Sequence, residues 1–236
     1  MKKYAVLSLD VEDWHHLDYF SSTQVNKEYS MLDGVNNFLE IVENHGISST
    51  LFTLSDVAPL VKNELIQAVK NNHEVSSHGL SHKRPLTLKI DDFIDDICLS
   101  KSKLEEIIGT KVLGYRAPCF SMNNRLTEEL VKAGYQYDSS AINFSSHPLY
   151  GGIDLSNFEK KLDNVYQNGL LTEFELPTAN ILNRHIPISG GGYLRIFPWL
   201  MMKNLIDNFL KKHQTYFLYI HPFELSKKAM PKVDNI

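Results

Sequence analysis

Two periods of apolar spacing alternate along this chain. Tyr4 to Leu9 is a short apolar run with period-two character, which predicts a buried strand. From Met31 to His45 the apolar residues Leu32, Val35, Phe38, Leu39 and Val42 recur at helical spacing, and Gly46 supplies a stop. Ser49 to Leu54 predicts a second strand. Ser55 and Asp56 are placed to cap a helix running through Leu60, Leu65, Ile66 and Val69. Glu74 to Ser77 predicts a third strand, and Ile90 to Ile108 a long helix with Gly109 beyond its end. Lys111 to Tyr115 reads as a fourth strand, Leu126 to Ala133 as a short helix closed by Gly134, and Tyr135 to Tyr137 as the start of a fifth strand. Strand and helix thus alternate repeatedly, which is the pattern of parallel strands joined by helical crossovers.

The pattern then loosens. From Ala141 to Gly169 the chain is mixed and polar, with Pro148 and Gly151-Gly152, and is expected to wander over the surface. Leu171 to Leu176 alternates cleanly and predicts another strand. Ser189-Gly190-Gly191-Gly192 permits close backbone approach to a neighbour, and a simple turn or bulge fits it equally well. A phosphate-cradling loop would need a Lys-Ser/Thr ending and a following helix, and neither is expected there. Trp199 to Phe209 predicts a helix, and Thr215 to Ile220 a last buried strand. The expectation is one α/β domain over residues 1–236, with an irregular insertion at about 141–170.

Bulk composition narrows the classes. The 236 residues are 43% hydrophobic and 22% charged, as in an ordinary globular protein. A formal charge of −4 offers no basic patch for nucleic acid, so that partner is set aside. Cys98 and Cys119 make no disulfide framework, and Cys98 is expected in the core of its helix, as are Leu86, Leu88 and the helix stripes. No apolar run reaches the length of about 18 residues that a spanning helix needs. The apolar run at the N-terminus is too short for a signal peptide. Both points lead to an expected cytoplasmic location, with a peripheral association with the inner membrane face left open.

Chemistry gathers where strands end. The first strand runs into Asp10-Val11-Glu12-Asp13-Trp14-His15-His16. Carboxylates crowded at a strand end are costly unless something positive lies among them. Alternation along an extended chain puts Asp10 and Glu12 on one side. The third strand ends in Ser77-His78-Gly79-Leu80-Ser81-His82, the fourth in Arg116-Ala117-Pro118-Cys119, the fifth in Asp138-Ser139-Ser140, and the last in His221-Pro222-Phe223-Glu224. In closed parallel barrels the C-terminal strand ends form the site. One carboxylate with two imidazoles and an open position is the donor set of a catalytic zinc-type centre. A second carboxylate could serve as base, and His221 could donate a proton to a leaving amine. Trp14 is either core or a stacking wall for a sugar ring, and its place directly after the acidic cluster tips it toward the site. His73 precedes the third strand and is expected away from it.

These motifs also carry a resemblance. Asp-Val-Glu-Asp-Trp, Ser-His-Gly-Leu-Ser-His, Gly-Tyr-Arg-Ala-Pro, Tyr-Asp-Ser-Ser and Tyr-Ile-His-Pro, in this order, resemble the NodB-homology polysaccharide deacetylases of carbohydrate esterase family 4. The Leu-Pro, Ser-Gly-Gly-Gly-Tyr-Leu-Arg and His-Pro-Phe-Glu stretches resemble a bacterial subgroup of surface-polysaccharide and exopolysaccharide biosynthesis. The resemblance implies a distorted (β/α)7-type barrel and metal-dependent removal of N-acetyl groups from an amino sugar. It implies Asp10 as base, His78 and His82 as metal ligands, Arg116 as the residue orienting the base, and His221 as general acid with Asp138 tuning it. The backbone N–H of Cys119 would help hold the oxyanion. Many members carry two adjacent aspartates at the first strand. Here an Asp-x-Asp alignment makes Glu12 the metal-bound carboxylate, with Asp13 the alternative. Ala117 stands where many members have proline. Zinc is the foremost ion for such a set, and other divalent ions remain admissible. Tyr193 and Arg195, beside the glycines, are candidates to contact substrate, including an anionic or phosphate-linked sugar. The implied partner is an N-acetylated sugar that is nucleotide-linked, lipid-linked or polymeric. Two other readings stand beside this one: a related hydrolase of a formamide or cyclic amide, and a catalytically silent sugar-binding barrel.

Overall fold

A computed structural model describes residues 2–20, 25–144 and 146–231. Strand β1 (Tyr4–Val11) becomes buried from Ser8 onward, where it enters the middle of a sheet. β2 (Thr50–Thr53), β3 (Glu74–Ser77), β4 (Gly114–Tyr115) and β5 (Tyr137–Asp138) follow, each parallel to the one before. The connections carry α1 (Gly34–Asn44), α2 (Lys62–Lys70), α3 (Ile90–Ile108) and α4 (Asn124–Lys132). α1 buries Val35, Phe38, Leu39 and Val42, and α3 buries Phe93, Ile97 and Leu104. These stripes meet Leu9, Val11, Leu51 and Val75 of the strands in the main core. Burial of each such side chain stabilises the fold by about 1.5–3 kcal/mol.

After β5 the helical rhythm stops. β6 (Glu159–Leu162) and β7 (Val165–Asn168) form an antiparallel hairpin, and β8 (Leu171–Phe174) pairs with β7 on one side and runs parallel to β5 on the other. β9 (Thr178–Ile181) and β10 (Arg184–Pro187) make a separate hairpin. α5 (Gly191–Ile196) and α6 (Trp199–Lys212) lead to β11 (Thr215–Ile220), which lies parallel to β1, and α7 (Pro222–Leu225) follows. The sheet order is β11-β1-β2-β3-β4-β5-β8-β7-β6. Its parallel strands form the distorted (β/α)7-type barrel. Among the described residues no ladder joins β8 to β11. Side chains bridge that seam: the Phe174 and Phe217 rings lie 5.5 Å apart, and the Gln214 N–H donates to Asp163 Oδ2 at 3.2 Å. No described helix is long and apolar enough to cross a membrane.

Several expectations are corrected. Ser55 and Asp56 do not cap a helix: Asp56 Oδ1 accepts from Lys103 Nζ at 3.0 Å, Ser55 Oγ has no hydrogen-bond partner among the described residues, and a 3-10 turn at Ala58–Val61 opens α2 instead. The fourth strand shrinks to two residues. Side chains of α3 reach the Val112 backbone there, with Glu105 Oε1 accepting from its N–H at 3.0 Å. The excursion at 141–170 is irregular only in part, since β6 and β7 extend the sheet. A helix does form at the glycine run, starting within it at Gly191. Cys98 is exposed, because it sits one step round α3 from buried Ile97. Leu86 is exposed as well, whereas Leu88 packs on the core.

Candidate active site

The C-terminal ends of β1, β3, β4 and β11 deliver their side chains to one cavity of about 120 Å³. Asp10, Glu12, His78, His82, Cys119 and His221 all line it. The His78–His82 turn is braced from two sides. The N–H groups of Ser55 and Asp56 donate to its carbonyls, while on α3 the buried Asp96 accepts from the Leu80 N–H at 3.1 Å and Ser100 Oγ donates to Gly79 O at 2.9 Å. Burial pushes the Asp96 carboxyl up to about 6.

Glu12, His78 and His82 each offer a ligand atom, and these atoms lie within 4.8 Å of one another. His78 Nδ1 lies 2.8 Å from the Arg116 carbonyl oxygen, which only a protonated Nδ1 satisfies, so the Nε2 lone pair is left for the cavity. Glu12 Oε2 sits 3.0 Å from His82 Nε2 and Glu12 Oε1 3.4 Å from His221 Nε2. Electron-rich atoms this close and this buried need a cation or protons among them. Donors about 2.0–2.2 Å from a tetrahedral ion stand about 3.3–3.6 Å apart, and these three, within 4.8 Å of one another, are near enough to share one divalent ion. Burial works to raise the Glu12 carboxyl, but the imidazoles of His82, His221 and His78 outweigh it and bring it to about 2. Burial brings His78 down to about 4 against the pull of Asp10, which leaves a neutral imidazole at pH 7. For His82 and His221, burial opposes the charge, but neighbouring carboxylates win and raise both. Asp13 is turned away: its Oδ1 accepts from the N–H groups of Trp14 and Met31, each at 2.9 Å.

Asp10 Oδ1 meets Arg116 Nη1 at 2.6 Å. The guanidinium is itself fixed by Ser8 Oγ, Ser139 Oγ and Ser139 O, and lies 4.0 Å over the Phe52 ring. Each nitrogen of this buried guanidinium thus has a partner, and Nη1 is held against Asp10. Cys119 adopts a left-handed φ of 52° in the turn after β4. Its Sγ donates to Asp18 Oδ2 at 2.9 Å, and burial pushes the thiol far above its ordinary range, so it is no thiolate nucleophile.

Four sequence expectations move. Asp138 does not accompany His221. It accepts from the Ser139 N–H and Ser140 Oγ and pairs across the sheet with Glu173. The carboxylate on His221 is Glu224, with Oε2 3.2 Å from Nδ1. Trp14 is core: it is 1% exposed, its Nε1–H donates to Tyr29 O, and it packs edge-on against Phe20. Tyr193 stands behind the cavity wall, 2.9 Å from the Tyr150 hydroxyl, and Arg195 ion-pairs with Glu224. His73 lies at the far end of β3, against Ser49. The wall itself comes from residues the sequence reading passed over. His147 stacks on Tyr150 at 3.8 Å, and Phe120 touches both Tyr150 and Tyr219 edge-on at 5.2 Å. Nothing in the polar stretch around Pro148 signals this. Glu224 did have a signal, because a carboxylate three residues after His221 and a following proline is a capping-box spacing.

Residues 25–137 match the model of the polysaccharide deacetylase family. That stretch belongs to the polysaccharide deacetylase family. Residues 139–236 of this polysaccharide deacetylase homologue match a domain of unknown function, DUF3473. Peptidoglycan deacetylase of Helicobacter pylori is 23% identical over 208 residues, which are 85% of this chain and 65% of that protein. The chain thus spans 65% of the length of this curated relative. Among solved structures, a Mycobacterium smegmatis protein named as a candidate polysaccharide deacetylase superposes with a TM-score of 0.63 at 19% identity, over 94% of this chain and 78% of that one. A Bacillus anthracis protein described as a pseudoenzyme of carbohydrate esterase family 4 gives 0.55 at 14%, covering 94% and 55%. The family 4 carbohydrate esterase of Streptomyces lividans, solved with acetate, gives 0.53 at 10%, covering 93% and 79%. These likenesses establish the fold. β1, with Asp10 and Glu12, precedes the stretch matched to the deacetylase model, and His221 follows it, so the cavity is assembled from the whole chain.

Proposed function

We propose that this chain is a divalent-metal-dependent hydrolase that removes the N-acetyl group from an amino sugar of a bacterial surface glycan. The observation that carries the reading is the meeting of Glu12, His78 and His82 beside two further groups of opposite role, Asp10 and His221, in one cavity. The family match and the named activity of the Helicobacter pylori relative support it. An ion held by Glu12, His78 and His82, with zinc the best fit, would polarise the acetamide carbonyl and acidify the attacking water.

The chain's own residues do the rest. Asp10, held by Arg116, takes a proton from the water as its oxygen bonds to the acetamide carbon. The backbone N–H of Cys119 faces the developing oxyanion. His221 gives its Nε2 proton to the nitrogen as the C–N bond breaks, releasing acetate and a free amine. The wall of His147 and Tyr150 offers an aromatic face to a sugar ring. A silent sugar-binding barrel has no use for a base and an acid in one cavity, and the pseudoenzyme among the similar structures makes the assay decisive. Acetate release from N-acetylglucosamine oligomers by the zinc-loaded chain is expected, with loss on chelation and return on zinc addition. No acetate from acetylated sugars, but formate from their formylated analogues, would overturn the reading.

A further inference from the structure

The glycine run that opens α5 has a structural reason that points back into the cavity. A Cβ on Gly190, which holds a φ of +94°, would lie 2.5 Å from Cζ of Tyr219. A Cβ on Gly191 would lie 2.1 Å from Oε2 and 2.3 Å from Oε1 of Glu224. The Glu224 carboxylate therefore rests flat on the Gly191 backbone, in space that any side chain there would take. The Glu224 side chain is 6% exposed; Oε2 is hydrogen-bonded, and Oε1 has an ion-pair contact but no hydrogen bond among the described residues. Oε2 accepts from the His221 backbone N–H at 2.9 Å and faces His221 Nδ1 at 3.2 Å. Oε1 is 2.9 Å from Arg195 Nη2, whose side chain is largely exposed. The His221 ring is stacked on Phe223 at 4.9 Å with 12° between planes, and meets Tyr219 edge-on. Its Nε2 is thereby left facing Glu12 and the cavity.

We propose that Glu224, seated on Gly191 and oriented by Arg195, is the positioning residue of the general acid His221. It holds the ring with Nδ1–H bonded to Oε2 and Nε2 aimed at the leaving nitrogen. This role rests on the deacetylase reading above. A proton leaves Nε2 for the nitrogen as the C–N bond breaks, and the ring that remains is the Nδ1–H tautomer Glu224 already binds. Water then returns a proton to Nε2. In Glu224→Gln, Arg195 takes the amide oxygen, and the amide NH2 is turned against both the His221 N–H and Nδ1. The bound tautomer is then the wrong one.

Two substrates separate this role from a scaffold role. An acetamide needs its leaving nitrogen protonated, whereas 4-nitrophenyl acetate has a leaving group that departs without a proton. For the zinc-loaded chain, Glu224→Gln is expected to lower kcat on an N-acetyl sugar oligomer about 100-fold or more while kcat on the aryl ester stays within about threefold. Gly191→Ala is expected to show the same selective loss, and the double variant to be no worse than either single one. The 15N spectrum of His221 in the metal-free chain should show Nδ1–H in the wild type and lose it in Glu224→Gln. An equal fall on both substrates, or an unchanged His221 spectrum, overturns the proposal. If the wild type releases acetate from the ester and from no acetylated sugar, the deacetylase reading fails by itself, and the tautomer spectrum still decides the role of Glu224.

Discussion

The two halves of the barrel build their strand ends differently. From β1 to β4, each strand is followed by a helix, and the charged groups at the strand ends are held by backbone and by short polar side chains. From β8 to β11 the crossover is a hairpin, a glycine turn and two helices, and the polar groups are held by aromatic rings and by close approach to glycine. The first half supplies the carboxylates and imidazoles that suit an ion, together with Asp10 and Arg116. The second supplies His221 and the partners that aim it. A site that must gather negative charge needs a rigid, hydrogen-bonded cradle, whereas a proton donor needs a ring held in one orientation beside an apolar wall.

The contrast can be broken most severely in the first half. His78→Ala combined with His82→Ala is expected to abolish zinc uptake and with it all turnover; elemental analysis that finds the ion retained would remove this ligand set. Asp10→Asn is expected to keep the ion and lower kcat by about 10²–10⁴-fold, the ordinary span for a lost acid or base. Calorimetric zinc titration alongside kcat checks both halves of that statement.

The junction of the halves gives a pH effect on stability. Asp138 on β5 and Glu173 on β8 are fully buried partners across the sheet. Burial raises both, Asp138 to about 6 and Glu173 well above its ordinary range, where the neighbouring Asp138 charge adds to the effect. The folded chain therefore holds protons that the unfolded chain releases. Their stabilisation is complete below about pH 4 and is lost as pH climbs through about 6 and beyond, at up to about 1.4 kcal/mol per pH unit for each proton. Glu173→Gln should flatten that decline in urea midpoints between pH 5 and pH 8, roughly the window of the raised pair; an unaltered slope would rule the pair out as its source.

Smaller effects sharpen the assignment of individual residues. Trp14→Phe removes the indole bond to Tyr29 and part of a core side chain, so a loss of about 1–3 kcal/mol in stability is expected with KM unchanged. A raised KM at unchanged stability would return Trp14 to the sugar-binding wall. Cys119→Ser should leave kcat within about threefold, because the role proposed for this turn is a backbone N–H and not a nucleophile.

Much of this architecture was legible in the residues. α3 and β11 were readable to the residue because a long amphipathic stripe and a continuous apolar run have one solution each. The hairpin of β6 and β7 was not, since its strands are polar and mostly solvent-facing and carry no period-two signal. Asp10, Glu12, His78, His82, Arg116 and His221 stood out by following strands, and parallel strands bring their ends together whatever the loops do. Asp138 also followed a strand, yet the structure points it at Glu173. Strand order decides which ends converge, and β5 lies farther along the sheet from β11 than β1 does.

By itself, the sequence determined the alternation of strands and helices, the family and the inventory of charged groups at the strand ends, because all three depend on local period and residue type. Only the tertiary structure decided which carboxylate meets which imidazole. Asp13 was drawn off to two backbone N–H groups, leaving Glu12 among the histidines, and Glu224 rather than Asp138 reached His221 because Gly191 leaves room for its carboxylate. Such pairings depend on ångström-scale distances between segments far apart in the chain, and no local pattern encodes those distances.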